Sequence, residues 1–122
     1  MIDFCILGSG IAGSTISNLL SKRYKIRVFD KAKGAGGRAS NRRYKNKLSF
    51  DHGLQYISPE NENFNKFVIE LKKRRILKIW EGNHLDFSLS HRKEKLKYIG
   101  KKANNDISKY LLKSIKTNFS SP

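Results

Sequence analysis

The residues whose types and spacing could do chemistry stand near the start of the sequence: Gly8, Gly10 and Gly13, and a carboxylate at Asp30. A diphosphate can rest against backbone only where side chains are absent. The first glycine permits a tight turn, the second lets a pyrophosphate approach, and the third lets a helix pack closely on a strand. A helix that begins at once after the turn adds free N–H groups and a partial positive charge. Asp30 lies 20 positions beyond Gly10, at the end of the next apolar stretch, where its carboxylate can accept hydrogen bonds from ribose hydroxyls. The pattern predicts dinucleotide binding, and NAD and FAD satisfy it equally.

These residues need a strand, a helix and a second strand to hold them. Ile2 to Leu7 is nearly all apolar and predicts a strand of a parallel sheet covered on both faces. From Ile11, the apolar positions Ile16, Leu19 and Leu20 follow helical spacing, and "SKRYK" places positive charge where a helix C-terminus favours it. The second strand is Ile26 to Asp30. Gly34, Gly36 and Gly37 then crowd before Arg38 in a stretch through Lys47 that reads as loop, and "LSFDHGLQYIS" resumes an extended pattern.

Ser58 and Pro59 predict an N-cap and first turn for a helix in which Phe64, Phe67, Val68 and Leu71 form the buried stripe, closing on the basic run Lys72 to Arg75. "ILKIW" reads as a strand, Gly82-Asn83 as a turn, "HLDFSLS" as its hairpin partner, and "EKLKYIG" as a further strand ending at Gly100. Asn105 or Asp106 can cap a last helix whose shared face is Ile107, Tyr110, Leu111 and Ile115, with Pro122 just after it.

At 122 residues the chain supports one core, and its formal charge of +16 raises nucleic acid as an alternative partner. Basic residues are spread over both halves rather than gathered in an arm, so nucleic-acid binding is the weaker reading. The densest front cluster, Arg42, Arg43, Lys45 and Lys47, reads as a solvated loop or as a means of steering an anionic dinucleotide. Tyr24, Tyr44, Tyr56, Trp80, Tyr98 and Tyr110 interleave with cations, but Trp80 and Tyr110 are expected in the core.

Cys5, the sole cysteine, sits in the first apolar run and is expected to be buried and inert. Asp51 and His52, adjacent on an extended stretch, should point to opposite faces and not act as an acid–base pair. His84 and His91 lack ligand partners at metal spacing, and no metal site is expected. No Gly-x-Ser-x-Gly elbow is present. With no basic leader, and no apolar run near the roughly 18 residues of a membrane span, the expected location is the cytoplasm, without membrane attachment.

Beyond the glycine turn, Asp30-Lys31, Gly36-Gly37-Arg38-Ala39 and Asp51-His52-Gly53-Leu54-Gln55-Tyr56 resemble the second and third signatures of flavin-dependent amine-oxidase-like proteins, most closely the renalase family. "YIGKKANNDISKYLLKSI" resembles the strand, loop and helix that follow in that family. The resemblance implies FAD as cofactor. Gly8, Gly10, Ile11, Ala12 and Gly13 would hold its pyrophosphate, and Asp30, with Lys31 beside it, the adenosine ribose. Gly37 and Arg38 would meet a phosphate or the flavin side, and Gly53, Gln55 and Tyr56 would lie near the ribityl chain and ring.

Two departures stand out: Leu54 where a small residue is usual, and no glycine or proline after Lys101 before the last helix. Members of the family are also considerably longer. The implied fold class is α/β, a Rossmann-like FAD-binding βαβ unit with flavin-binding segments (1–58) and the start of a substrate domain (59–122), truncated relative to the family. The implied function is the N-terminal part of an FAD-dependent oxidoreductase acting on a small amine or dihydronicotinamide-like substrate, with O2 as acceptor and no assigned catalytic residue. The alternatives are a nucleotide-binding remnant without catalysis, or a half that works with a second polypeptide.

Overall fold

A computed structural model describes residues 1–45, 48–82 and 95–122. The first apolar run forms β1 (Phe4–Leu7), the glycine turn leads into α1 (Ile11–Leu20), and the chain returns through β2 (Ile26–Phe29). β1 and β2 are parallel, with Phe4 opposite Ile26 through to Leu7 opposite Phe29. The chain then makes a 3-10 turn at Gly37–Ala39 and an antiparallel pair, β3 (Asn41–Arg43) with β4 (Ser49–Asp51). Part of the expected loop is therefore strand: Arg42 lies opposite Phe50, and Arg43 opposite Ser49.

The second helix, α2 (Glu62–Lys73), starts later than Ser58 and Pro59 predict. Its N-cap is Asn61, whose side chain accepts from the Phe64 N–H at 2.9 Å and so satisfies one of the first-turn donors. Val68 and Leu71 are buried as the stripe requires, Phe67 is half-buried, and Phe64 is exposed. The next strand, β5 (Leu77–Ile79), pairs antiparallel with β6 (Tyr98–Gly100). The predicted hairpin partner "HLDFSLS", with Asn83, His84 and His91, lies outside the described residues. α2, β5 and β6 bury Val68, Leu71, Leu77 and Tyr98 with Ile57, and Ile107 and Leu111 from α3 (Asp106–Leu111) join them.

Between that helix and Pro122 the chain forms one more element. β7 (Lys116–Asn118) adds a third parallel strand on the far side of β2, giving the order β1-β2-β7. A three-residue strand with lysine, threonine and asparagine carries no apolar alternation, so only its partner reveals it. A smaller core, Val28 and Ala35 with Leu112 and Ile115, fixes α3 and its following turn to this sheet.

Three expectations of burial are overturned. α1 turns Ser14 and Ser17 inward, both fully buried, while Ile16 and Leu19 are exposed. The reason is its close neighbour α3: small side chains let two helices approach, and Asn18 Nδ2 donates to the Leu111 carbonyl at 3.0 Å. Cys5 is exposed rather than buried. In a strand, alternate side chains face opposite ways, and only the Ile6 face of β1 is covered by α1 and the small core; Leu7, on the Cys5 face, is 84% exposed. Trp80, expected in the core, is 37% exposed, since it follows β5 where the strand leaves the packed region.

Candidate dinucleotide-binding site

The glycine turn is shaped by φ at one position and by space at another. Gly8 has φ +95°, a conformation L side chains rarely adopt, and its N–H donates to the Phe29 carbonyl at 2.8 Å, tying the turn to β2. At Gly13 an added Cβ would stand 2.0 Å from the Gly8 carbonyl oxygen, so only glycine allows α1 to press against the end of β1. Gly10 is the N-cap of α1 and contributes no side-chain cap, which leaves the first-turn N–H groups of Ile11 and Ala12 without a side-chain acceptor from that position.

Asp30 follows β2 directly, and its carboxylate is held by the turn. One oxygen accepts from the Ser9 N–H at 2.6 Å and from the Ser9 hydroxyl; the other accepts from the Ala32 N–H at 2.8 Å. Partial burial works to raise its pKa. The hydrogen bonds from the Ser9 side chain and from the Ala32 and Ser9 backbone, with the Lys31 charge nearby, more than offset that and hold it below its ordinary value. Asp30 thus remains a carboxylate at neutral pH, fixed at the carboxyl ends of β1 and β2, where ligands of open α/β sheets bind.

The second glycine cluster comes to the same place. Gly36 and Gly10 form a parallel bridge, the Gly36 N–H donates to the Ser9 carbonyl at 3.0 Å, and a Cβ on Gly37 would be 3.0 Å from the Gly10 Cα. Arg38, exposed in the 3-10 turn, follows directly. The third segment docks on it through backbone: the Leu54 N–H donates to the Arg38 carbonyl at 2.9 Å, and a Cβ on Gly53 would be 2.1 Å from that same oxygen. Four stretches separate in sequence, around Gly10, Asp30, Gly37 and Gly53, therefore form one hydrogen-bonded backbone unit.

Lys31, Gln55 and Tyr56 lie at its margins, all exposed. The Tyr56 ring is 5.8 Å from that of Trp80, and the Lys97 ammonium stands 5.1 Å above it. A cavity of about 250 Å3 links this margin to the glycine turn, lined by Ile11, Leu54, Tyr56, Phe64 and Phe67 among others. Leu54 packs there against the apolar core. Asp51 and His52 do not pair: Asp51 accepts from Asn41 Nδ2 and from the Asn104 N–H, while His52 Nε2 is 3.2 Å from the Ser40 hydroxyl. Among the described residues no group of three His, Cys, Asp or Glu converges, and no helix is long and apolar enough to cross a membrane.

Sequence reading missed the residues that clamp the unit from behind. Asn104, buried, accepts from the Gly100 N–H at 2.8 Å and donates to the Leu54 carbonyl at 2.7 Å. Asn105 donates to the Ala35 carbonyl at 3.2 Å, so its side chain serves the glycine loop rather than capping α3. Asp106 accepts from the Lys102 and Ala103 N–H groups instead. The signal was visible as Asn-Asn-Asp before a helix, but amides there read as caps. Ser9 was likewise only the spacer of the motif, and Asn118, whose carbonyl accepts from the Asp30 N–H at 2.9 Å, belonged to an unforeseen strand.

Parallel strands joined by a helix, a glycine turn at their carboxyl ends and a fixed carboxylate after the second strand define a nucleotide-binding α/β protein. The chain belongs to the NAD(P)-binding Rossmann-like domain family, whose sequence profile matches residues 6–71, more than half of its length. An uncharacterized protein of Methanocaldococcus jannaschii is 52% identical over 33 residues, which make up 27% of this chain and 9% of that protein. Among solved structures, wild-type putrescine oxidase bound to putrescine aligns with a TM-score of 0.50 at 24% identity, and a double mutant from the same redesign of cofactor binding with 0.51 at 24%. Both alignments cover 81% of this chain and 22% of the oxidase, so this chain spans about a fifth of its length and shares its fold.

Proposed function

We propose that the chain is the FAD-binding N-terminal part of a flavin-dependent oxidoreductase of the renalase type. The observation that carries this reading is the meeting of the two glycine clusters: Gly10 and Gly36 bridge directly, with Arg38 following and Gly53 seated on its carbonyl. A simple dinucleotide turn needs only Gly8 to Gly13 and Asp30; a second glycine–arginine loop pressed on it suits a longer cofactor whose flavin half runs past that loop. The residues fit such a group. The first turn of α1 has no side-chain cap, Asp30 is ionised and fixed, and Asn118 Oδ1, on the strand next to Asp30, is buried without a hydrogen-bond partner.

In this reading the Gly8–Gly13 turn, with Ile11 and Ala12, holds the pyrophosphate, and Asp30 and Lys31 the ribose. Gly37, Arg38, Gly53, Gln55 and Tyr56 border the flavin side. Residues 1–58 and β7 make the nucleotide platform, and the segment from residue 59 opens the substrate-facing part. A flavin held there would supply the redox chemistry, hydride acceptance from a small reduced substrate and reduction of O2 to hydrogen peroxide. The protein's own groups bind, orient and exclude water. The Lys97 ammonium over Tyr56 and an apolar cavity that no carboxylate lines among the described residues favour a dihydronicotinamide-like substrate over a cationic amine.

The test is the visible spectrum of the purified chain after incubation with FAD and desalting. Retained flavin bands are expected. Salt-sensitive binding to oligonucleotides with no flavin under any condition would sink the proposal. Coverage of only 22% of putrescine oxidase favours one second reading, a platform that binds the nucleotide without catalysis; retained flavin with no peroxide from any reduced nicotinamide would select it.

A further inference from the structure

Every polar group of Ser9 is engaged. Its carbonyl accepts from the Gly36 N–H at 3.0 Å and from the Ser14 hydroxyl at 3.1 Å, while its own N–H and hydroxyl both donate to Asp30 Oδ2. The residue is fully buried. Asp30 is pinned through its backbone as well: its N–H donates to the Asn118 carbonyl, and its carbonyl accepts from the Ser121 N–H, each at 2.9 Å. With both backbones fixed, the contact between the two side chains is preorganised.

That contact decides how much of the carboxylate a ligand can use. An ionised carboxylate offers about four acceptor positions, two on each oxygen. Ser9 fills both on Oδ2, and the Ala32 N–H, 2.8 Å from Oδ1, fills one of the others. The position left is on Oδ1. A ribose hydroxyl that took a place on Oδ2 would leave the buried serine hydroxyl without an acceptor, and an unpaired buried donor is costly. We propose that Ser9 is a positioning residue that limits Asp30 to a single hydroxyl of the adenosine ribose, so that the site tells the 2′ hydroxyl from the 3′ instead of taking both alike. This rests on the dinucleotide reading above and adds to it a residue that sets which ribose is accepted.

The test is the binding of ADP, 2′-deoxy-ADP and 3′-deoxy-ADP to the full chain by isothermal titration calorimetry. One deoxy analogue should bind about as ADP does, and the other roughly ten- to a hundredfold more weakly, as expected for the loss of one hydrogen bond to a charged acceptor. In Ser9→Ala a position on Oδ2 is open, and the ratio between the two analogues should fall toward one. A serine with a merely structural role would weaken all three nucleotides together and leave that ratio unchanged, which would overturn the proposal. So would a ratio near one in the wild type, a result that needs no variant to fold. A second measurement needs no ligand. Burial raises the pKa of Asp30, and the Ser9 hydroxyl is the largest of the contacts that lower it. Followed by carbon-13 NMR, the Asp30 carboxyl should therefore titrate at higher pH in Ser9→Ala, and an unchanged titration would overturn the proposal too. Failure of ADP itself to bind would sink the dinucleotide reading and this inference with it, whereas ADP binding with a ratio near one would sink this inference alone.

Discussion

The nucleotide platform and the lobe formed by α2, β5 and β6 are held together by different means. The lobe is built from large apolar side chains, Val68, Leu71, Leu77 and Tyr98, each 4% exposed or less. The platform has one comparable side chain, Val28, and otherwise relies on Ser9, Ser14, Ser17 and glycines packed backbone to backbone. The contrast follows from what each part presents to a ligand. Phosphate is approached by N–H groups, which small residues leave accessible, so a turn that takes up a dinucleotide, as proposed for this one, gives up hydrophobic burial there. The lobe has no such constraint and supplies the apolar stability.

Three substitutions test that contrast, in order of expected effect. Leu71→Ala removes a buried leucine from the lobe and should lower unfolding free energy by roughly 2–5 kcal/mol in urea titration. If the platform is organised by its own backbone contacts, FAD retention by the fraction that remains folded should not change; parallel loss of stability and retention would show that the two regions act as one unit.

Gly13→Ala places a methyl 2.0 Å from the Gly8 carbonyl and forces α1 away from β1. About 1–3 kcal/mol of stability should be lost through overpacking, and here retention of the dinucleotide should fall far more than stability does. Full retention would break the assignment of the site to this turn.

Asp30→Asn is the smallest, about 1 kcal/mol near neutral pH, since the hydrogen bonds from Ser9 and Ala32 lose their charged acceptor. The native pKa of Asp30 is depressed, so its contribution is fully present above the ordinary value of 3.8 and is lost as pH falls through the native value. The urea midpoints of wild type and variant should therefore differ at pH 7 and converge on acidification. A difference that persists unchanged at low pH would mean that packing, not charge, ties Asp30 to the turn.

Legibility followed how local each signal was. The glycine turn, α1, β2 and Asp30 could be read because each requirement is met within a few residues of itself. α2 could be read from its stripe, although its start shifted to Asn61, because four polar residues stand between Pro59 and Phe64 and only the hydrogen bond from the Phe64 N–H picks out the cap among them. β7 could not: Lys116, Thr117 and Asn118 have no strand pattern, and their conformation comes from pairing with β2 about 90 residues earlier. The inward serines of α1 failed for a related reason, since helical periodicity shows which residues share a face but not which neighbour that face meets.

The sequence by itself determined the geometry of the turn, because positive φ at Gly8 and close helix packing at Gly13 each demand glycine whatever surrounds them, and it placed a carboxylate, Asp30, directly after the second strand. Tertiary structure alone decided that the Gly36–Arg38 loop and the Gly53–Leu54 segment close on that turn, and that Asn104 and Asn105 clamp them. Those facts depend on contacts between residues far apart in the chain, whose distances no local pattern encodes.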